Sequence, residues 1–98
     1  MANIDEEFRL ASEATDAIAN KPREILEILR KAAFMAQVQQ TAMMLSSEPA
    51  LNKARRRAAI ALANLIPALE ANRETPTRMK KAKVAIDKWI MQIQVARP

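Results

Sequence analysis

The sequence predicts an all-α protein, a small bundle of about four helices. Three observations carry this. Apolar residues recur at three- and four-residue spacing through every segment of length, and the alternation expected of strands is absent. Start signals recur along the chain, with Asn20, Ser47 and Thr75 as capping residues and Pro22, Pro49 and Pro76 close behind them, where a first helical turn tolerates proline. The chain has 98 residues and no glycine, so a single domain over residues 1–98 is expected, with few points where the backbone turns freely.

The first helix is expected over about residues 4–19. Ile4, Phe8, Ala11 and Ile18 fall on one face, and its acids lie in the early turns, where the helix dipole favours them. Pro22 disfavours a helical Lys21 and suits a new start. The second helix is expected over 22–45, about 35 Å at 1.5 Å per residue. Ile25, Leu29, Ala32, Ala36 and Met43 make its inward stripe. Its opposite face begins with Glu27, Arg30 and Lys31 and then turns apolar at Phe34, Val38 and Leu45. A helix apolar on two faces is buried on both. Phe34, Val38 and Leu45 are therefore expected to form an interface, with the bundle completed by homodimerisation.

Ser46-Ser47-Glu48-Pro49 reads as a break and a fresh start, opening a third helix over 49–71. Leu51, Ala58, Leu62, Leu65 and Leu69 share a face, and Pro67, lacking an amide proton for the carbonyl of Ala63, should bend the helix. The fourth helix is expected over 76–95, with Met79, Ala82, Ile86, Ile90 and Ile93 inward. Val84, Met91 and Val95 form a second, weaker stripe, and Trp89 should be half-buried beside the core.

Composition removes most enzyme chemistry. Without glycine there is no glycine-rich phosphate loop. Without histidine or cysteine the common zinc ligands and the usual proton shuttle are missing. Ser12, Ser46 and Ser47 have no histidine base, and pairs such as Glu24 with Glu27 read as solvated surface carboxylates. The expectation is a protein that is not an enzyme, with no cofactor, metal or small-molecule substrate. The longest apolar run, Ala58 to Leu69, is too short to span a bilayer and holds Asn64 and Pro67. The acidic start lacks the basic opening of a secretory signal, so an intracellular, cytoplasmic setting is expected.

Charge is the positive signal. The net charge is +5. It divides into −4 over residues 1–20, +2 over 21–45, +2 over 46–72 and +5 over 73–98. An acidic first helix thus precedes three basic segments. Projected at about 100° per residue, Lys53, Arg56, Arg57 and Asn64 share the face opposite Leu51, Leu62 and Leu69. Arg55 leans toward the apolar stripe and is expected to cap the bundle end or meet an acid at an interface. On the fourth helix Arg78, Lys80, Lys81 and Lys88 point outward, with Lys83 nearer the core edge. If the third and fourth helices run antiparallel, Arg56 and Arg57 lie toward Lys88 and the Arg78–Lys81 group at the other end.

A basic surface spread along helices suits the repeating phosphates of nucleic acid. The chain has no tyrosine, two phenylalanines and one tryptophan. That argues against stacking on single-strand bases. No helix-turn-helix stands out. The expectation is shape-dependent binding to an RNA or DNA duplex through Lys53, Arg56, Arg57, Arg78, Lys80, Lys81 and Lys88, as in a viral, phage or mobile-element regulator. A protein-interaction or scaffold role for the two-faced second helix is the alternative.

The chain length, the long second helix and the break Met44-Leu45-Ser46-Ser47-Glu48-Pro49 resemble the small helical double-stranded-RNA-binding silencing suppressors of nodaviruses. The resemblance covers residues 23–50. It implies a four-helix bundle made by two copies, and it adds Arg30 and Lys31 to the binding face.

Overall fold

The computed structural model describes residues 4–42, 49–73 and 75–96, and the regular structure among them is all α-helical. Helix α1 spans Ile4–Asn20, α2 Ile25–Ala42, α3 Pro49–Glu70 and α4 Pro76–Ala96. Each helix packs on the next, and α4 closes back on α1, while the diagonal pairs lie further apart. Side-chain pairs fix the directions. Gln39 of α2 reaches Glu7 of α1, Arg30 of α2 reaches Glu70 of α3, and Thr15 of α1 reaches Asp87 of α4. These pairings make every neighbour antiparallel, the up-down-up-down arrangement that short connections favour.

One chain supplies all four helices, so the bundle closes without a second copy. This differs from the two-chain bundle implied by the resemblance. The outer strip nominated as an interface is a separate feature: Phe34 is 69% exposed, Val38 is half-buried, and Leu45 lies outside the described residues, as do Met43 and the 43–48 break.

The core follows the expected stripes. Leu29, Leu62, Leu65, Ile86 and Ile93 are fully buried, and Ala11, Ala14, Ala32, Ala36, Ala58 and Ala82 lie between them. Alanines at contact positions let helix axes approach closely, and each buried Leu or Ile contributes about 1.5–3 kcal/mol relative to an exposed one. Trp89 departs from expectation. It is fully buried rather than half-buried, because its indole N–H finds an acceptor inside the bundle, as described below.

The helix ends use residues other than glycine. Lys21 and Asn72 adopt left-handed backbone, with φ of 53° and 55°. After α3, the amide of Arg73 bonds the carbonyl of Ala68 at 2.9 Å and that of Asn72 bonds Leu69 at 3.1 Å. This is the paired hydrogen-bond pattern of a Schellman cap, with Asn72 in the position usually held by glycine. After α1, the amide of Lys21 bonds Ala17 at 2.7 Å, and Pro22 to Glu24 then form a turn. Helix α2 therefore begins at Ile25 rather than at Pro22. Helix α3 continues past Pro67 to Glu70. Pro67 and Ala63 are both exposed, so the missing bond falls on the solvent side.

Candidate nucleic-acid interface

The three consecutive arginines of α3 go three ways. Arg55 points into the bundle and is 1% exposed. Its Nε donates to Oε2 of Glu7 at 2.6 Å and its Nη2 to Oε1 at 2.8 Å, while Nη1 reaches Oδ1 of Asn52 at 2.9 Å. Glu7 is itself fully buried and accepts two further bonds. The Trp89 indole donates to Oε2 at 2.7 Å and Gln39 Nε2 donates to Oε1 at 2.9 Å. One carboxylate thus joins all four helices. The acid that Arg55 meets lies within its own chain rather than at an interface between chains. Charge and donors around Glu7 compensate the cost of removing it from water. This cluster sets the relative placement of α3 and α4.

Arg56 and Arg57 are exposed, about 100° apart around the helix. Only Arg57 turns toward α4. It lines three adjoining hollows between α3 and α4, with Lys53 and Lys88 around one, Lys80, Lys81 and Lys88 around another, and Asn64, Arg73, Arg78 and Lys81 around the third. Together they make a trough along the two helices, with Ala50, Ala54, Ala61 and Ala85 among its lining. Arg56 lines none of the three. Projection onto a flat face grouped Arg56 with Arg57, but α2 and α4 flank α3 on opposite sides and separate them.

Most bases among the described residues fall into two groups, with Lys21, Arg23 and Arg56 exposed and belonging to neither. Arg9 pairs with Glu6 and with Glu13, Arg30 with Glu70, Lys31 with Glu27, and Lys83 with Asp87. Hydrogen bonding from Arg9 holds the Glu6 carboxyl below its ordinary range, and the same bond to Glu6, followed by that to Glu13, raises Arg9. Arg30 and Lys31 therefore sit on the α2 side, engaged with acids and away from the trough. Lys53, Arg57, Arg73, Arg78, Lys80, Lys81 and Lys88 are all exposed and form no ion pair among the described residues. Six of these seven were legible as outward bases. Arg73 was not, because it lies in the α3–α4 turn, where helical periodicity says nothing. Glu7 was read as one more acid of an acidic helix start. Its place three residues after Ile4 and four before Ala11, the spacing of the inward stripe, was the signal of burial.

The expected second stripe of α4 enters the trough: Val84 and Met91, 49% and 58% exposed, line two of its hollows, and Val95, 75% exposed, lies outside them. No group of acids able to hold a metal ion occurs among the described residues, and no helix among them is long and apolar enough to cross a membrane. Fold and surface together define a four-helix bundle supplied by a single chain, with a buried ion pair inside it and a cationic face along α3 and α4. No protein-family model, curated protein or solved structure matches the chain.

Proposed function

We propose that this protein is a non-enzymatic, intracellular nucleic-acid-binding protein that holds an RNA or DNA duplex against the α3–α4 trough. The observation that supports it is the sorting of charge: seven cations with no ion pair among the described residues gather on α3, α4 and the turn between them, while the cations of α1 and α2 answer carboxylates. A duplex carries counterions condensed along its phosphates, and unpaired protein cations that neutralise those phosphates release them, which drives association. Helix α4 has 21 residues, or about 31 Å of length, along which successive phosphates can be met. The contacts read phosphate spacing rather than base edges, so little sequence preference is expected.

The test is a binding titration with generic RNA and DNA duplexes at several salt concentrations. Five phosphate contacts would give a log–log salt slope of about −4 to −5. Absence of duplex binding at low salt overturns the reading.

Homodimerisation belongs to the same proposal. The exposed Phe34 and neighbouring Val38, with Gln37 and Thr41, line a shallow hollow on the outer face of α2, and a second copy covering it would bring two troughs into one particle. Sedimentation of the wild type as a monomer at high concentration would remove this part. The second reading, docking of a protein partner, rests on the exposed Val84, Met91 and Val95 beside the cations. Under it the trough would bind an acidic partner and ignore duplexes.

A further inference from the structure

The cations of the trough are not evenly spread. At the end where α3 turns into α4, Arg57, Arg73, Arg78 and Lys81 surround a single hollow of about 450 Å³, with Asn64 beside them. Among the described residues no carboxylate lines it, and none of the four cations is in an ion pair. Three of the four are arginines, whose planar guanidinium groups suit bidentate contact with phosphate oxygens. Ile60, 52% exposed, and Ala61 supply an apolar wall.

Charge decides what such a hollow takes. An internal phosphodiester brings one negative charge, and four converging cations exceed what it can neutralise. A phosphate monoester carries about −1.5 to −2 at neutral pH, with three acceptor oxygens. A di- or triphosphate carries more and so matches four cations better. The volume lies within the roughly 300–1,000 Å³ of small-ligand pockets, and the apolar wall offers a face to an attached nucleoside.

We infer that the hollow bounded by Arg57, Arg73, Arg78 and Lys81 is a binding site for a terminal phosphate or polyphosphate group. That group is carried either by the 5′ end of a nucleic-acid strand or by a free nucleotide. The inference shares Arg57 and Lys81 with the trough but does not require duplex binding. Arg73 and Arg78 line only this hollow, whereas Arg57 and Lys81 also line the rest of the trough. Substituting Arg73 and Arg78 therefore falls hardest on this hollow, while Lys53, Arg57, Lys80, Lys81 and Lys88 remain along the rest of the trough.

The experiment uses the full chain at low salt. Inorganic tripolyphosphate and orthophosphate are titrated calorimetrically, and duplexes of one sequence are compared with 5′-hydroxyl and 5′-triphosphate ends. Tripolyphosphate should bind at least tenfold tighter than orthophosphate. The R73A/R78A variant should lose this binding by tenfold or more, with its helicity by circular dichroism unchanged because both side chains are exposed. If the triphosphorylated duplex also binds about tenfold tighter than the hydroxyl one, and R73A/R78A abolishes that difference while weakening both duplexes alike through its two lost phosphate contacts, the ligand is a strand end. If tripolyphosphate binds but the duplexes do not differ, the ligand is a free polyphosphate or nucleotide. Failure of tripolyphosphate to bind wild type at millimolar concentration, or equal binding by R73A/R78A, overturns the site. Failure of the hydroxyl duplex alone overturns the duplex reading and leaves this one standing.

Discussion

Arg55 grips Glu7 through two of its nitrogens, at 2.6 and 2.8 Å, across the diagonal of the bundle and 48 positions apart in sequence. Neither residue is accessible to water, with exposures of 1% and 0%. A surface pair of this kind contributes about 0–1 kcal/mol. Here each partner instead removes an uncompensated buried charge from the other.

That makes the cost of separating them large. Arg55→Met should destabilise the fold by about 3–5 kcal/mol, because it leaves the Glu7 carboxylate buried with only two neutral donors. The double substitution Glu7→Leu with Arg55→Met should cost clearly less than the sum of the two single ones. Urea unfolding of the three variants checks both statements, and a single-variant loss under about 1 kcal/mol would mean that the pair is not held as described.

Gln39 completes the cluster at a compromise. Its amide nitrogen serves Glu7 at 2.9 Å, while its buried Oε1 has no partner among the described residues. A hydrogen bond to a charged group is worth about 1.5–3 kcal/mol, and an unsatisfied buried acceptor costs about 1–3 kcal/mol. Gln39→Met removes both, so its stability should stay within about 1 kcal/mol of wild type. The same unfolding assay reads the difference.

Lys21 holds a left-handed conformation that a Cβ disfavours. Lys21→Gly should therefore raise stability by about 0.5–1 kcal/mol, even though glycine is more flexible when unfolded. Thermal unfolding would show an increase in Tm of a few degrees, about 4–8 °C per kcal/mol for a domain of this size.

The trough makes unequal predictions for neighbouring arginines. Arg57→Ala should weaken duplex binding for all sequences alike and reduce the salt slope by about one contact, near 0.9. Arg56→Ala, on the α2 flank, should leave the slope unchanged. Both should keep stability within about 0.5 kcal/mol, as exposed substitutions do. Equal effects from the two would place the binding surface elsewhere.

On α1 the Glu6 carboxyl is held below its ordinary value of 4.5 by hydrogen bonding from Arg9. A depressed folded pKa contributes stability above the unfolded value and loses it as pH falls through the folded one, so this contribution fades only on the acid side of about 4.5. Arg9→Ala should bring the Glu6 titration back up toward that value, read by carboxyl carbon NMR.

Local chemistry alone determined that this chain is helical, where α1, α3 and α4 begin, and which stripe of each helix faces inward. Pro49, Thr75-Pro76 and the Leu62/Leu65 and Ile86/Ile93 spacings act within a few residues, and the bundle reproduces them. Periodicity also showed that Lys53, Arg57, Lys80, Lys81 and Lys88 point outward, because that depends only on angle around one axis. Tertiary structure decided what each face meets. Which helix lies on which flank of α3 separates Arg56 from Arg57, and no single-helix projection contains that information. Glu7, Gln39, Arg55 and Trp89 look like an acid, an amide, a base and an aromatic on four unrelated segments. Their burial becomes tolerable only when the bundle brings the four together, since a buried carboxylate is stable only where enough donors converge on it.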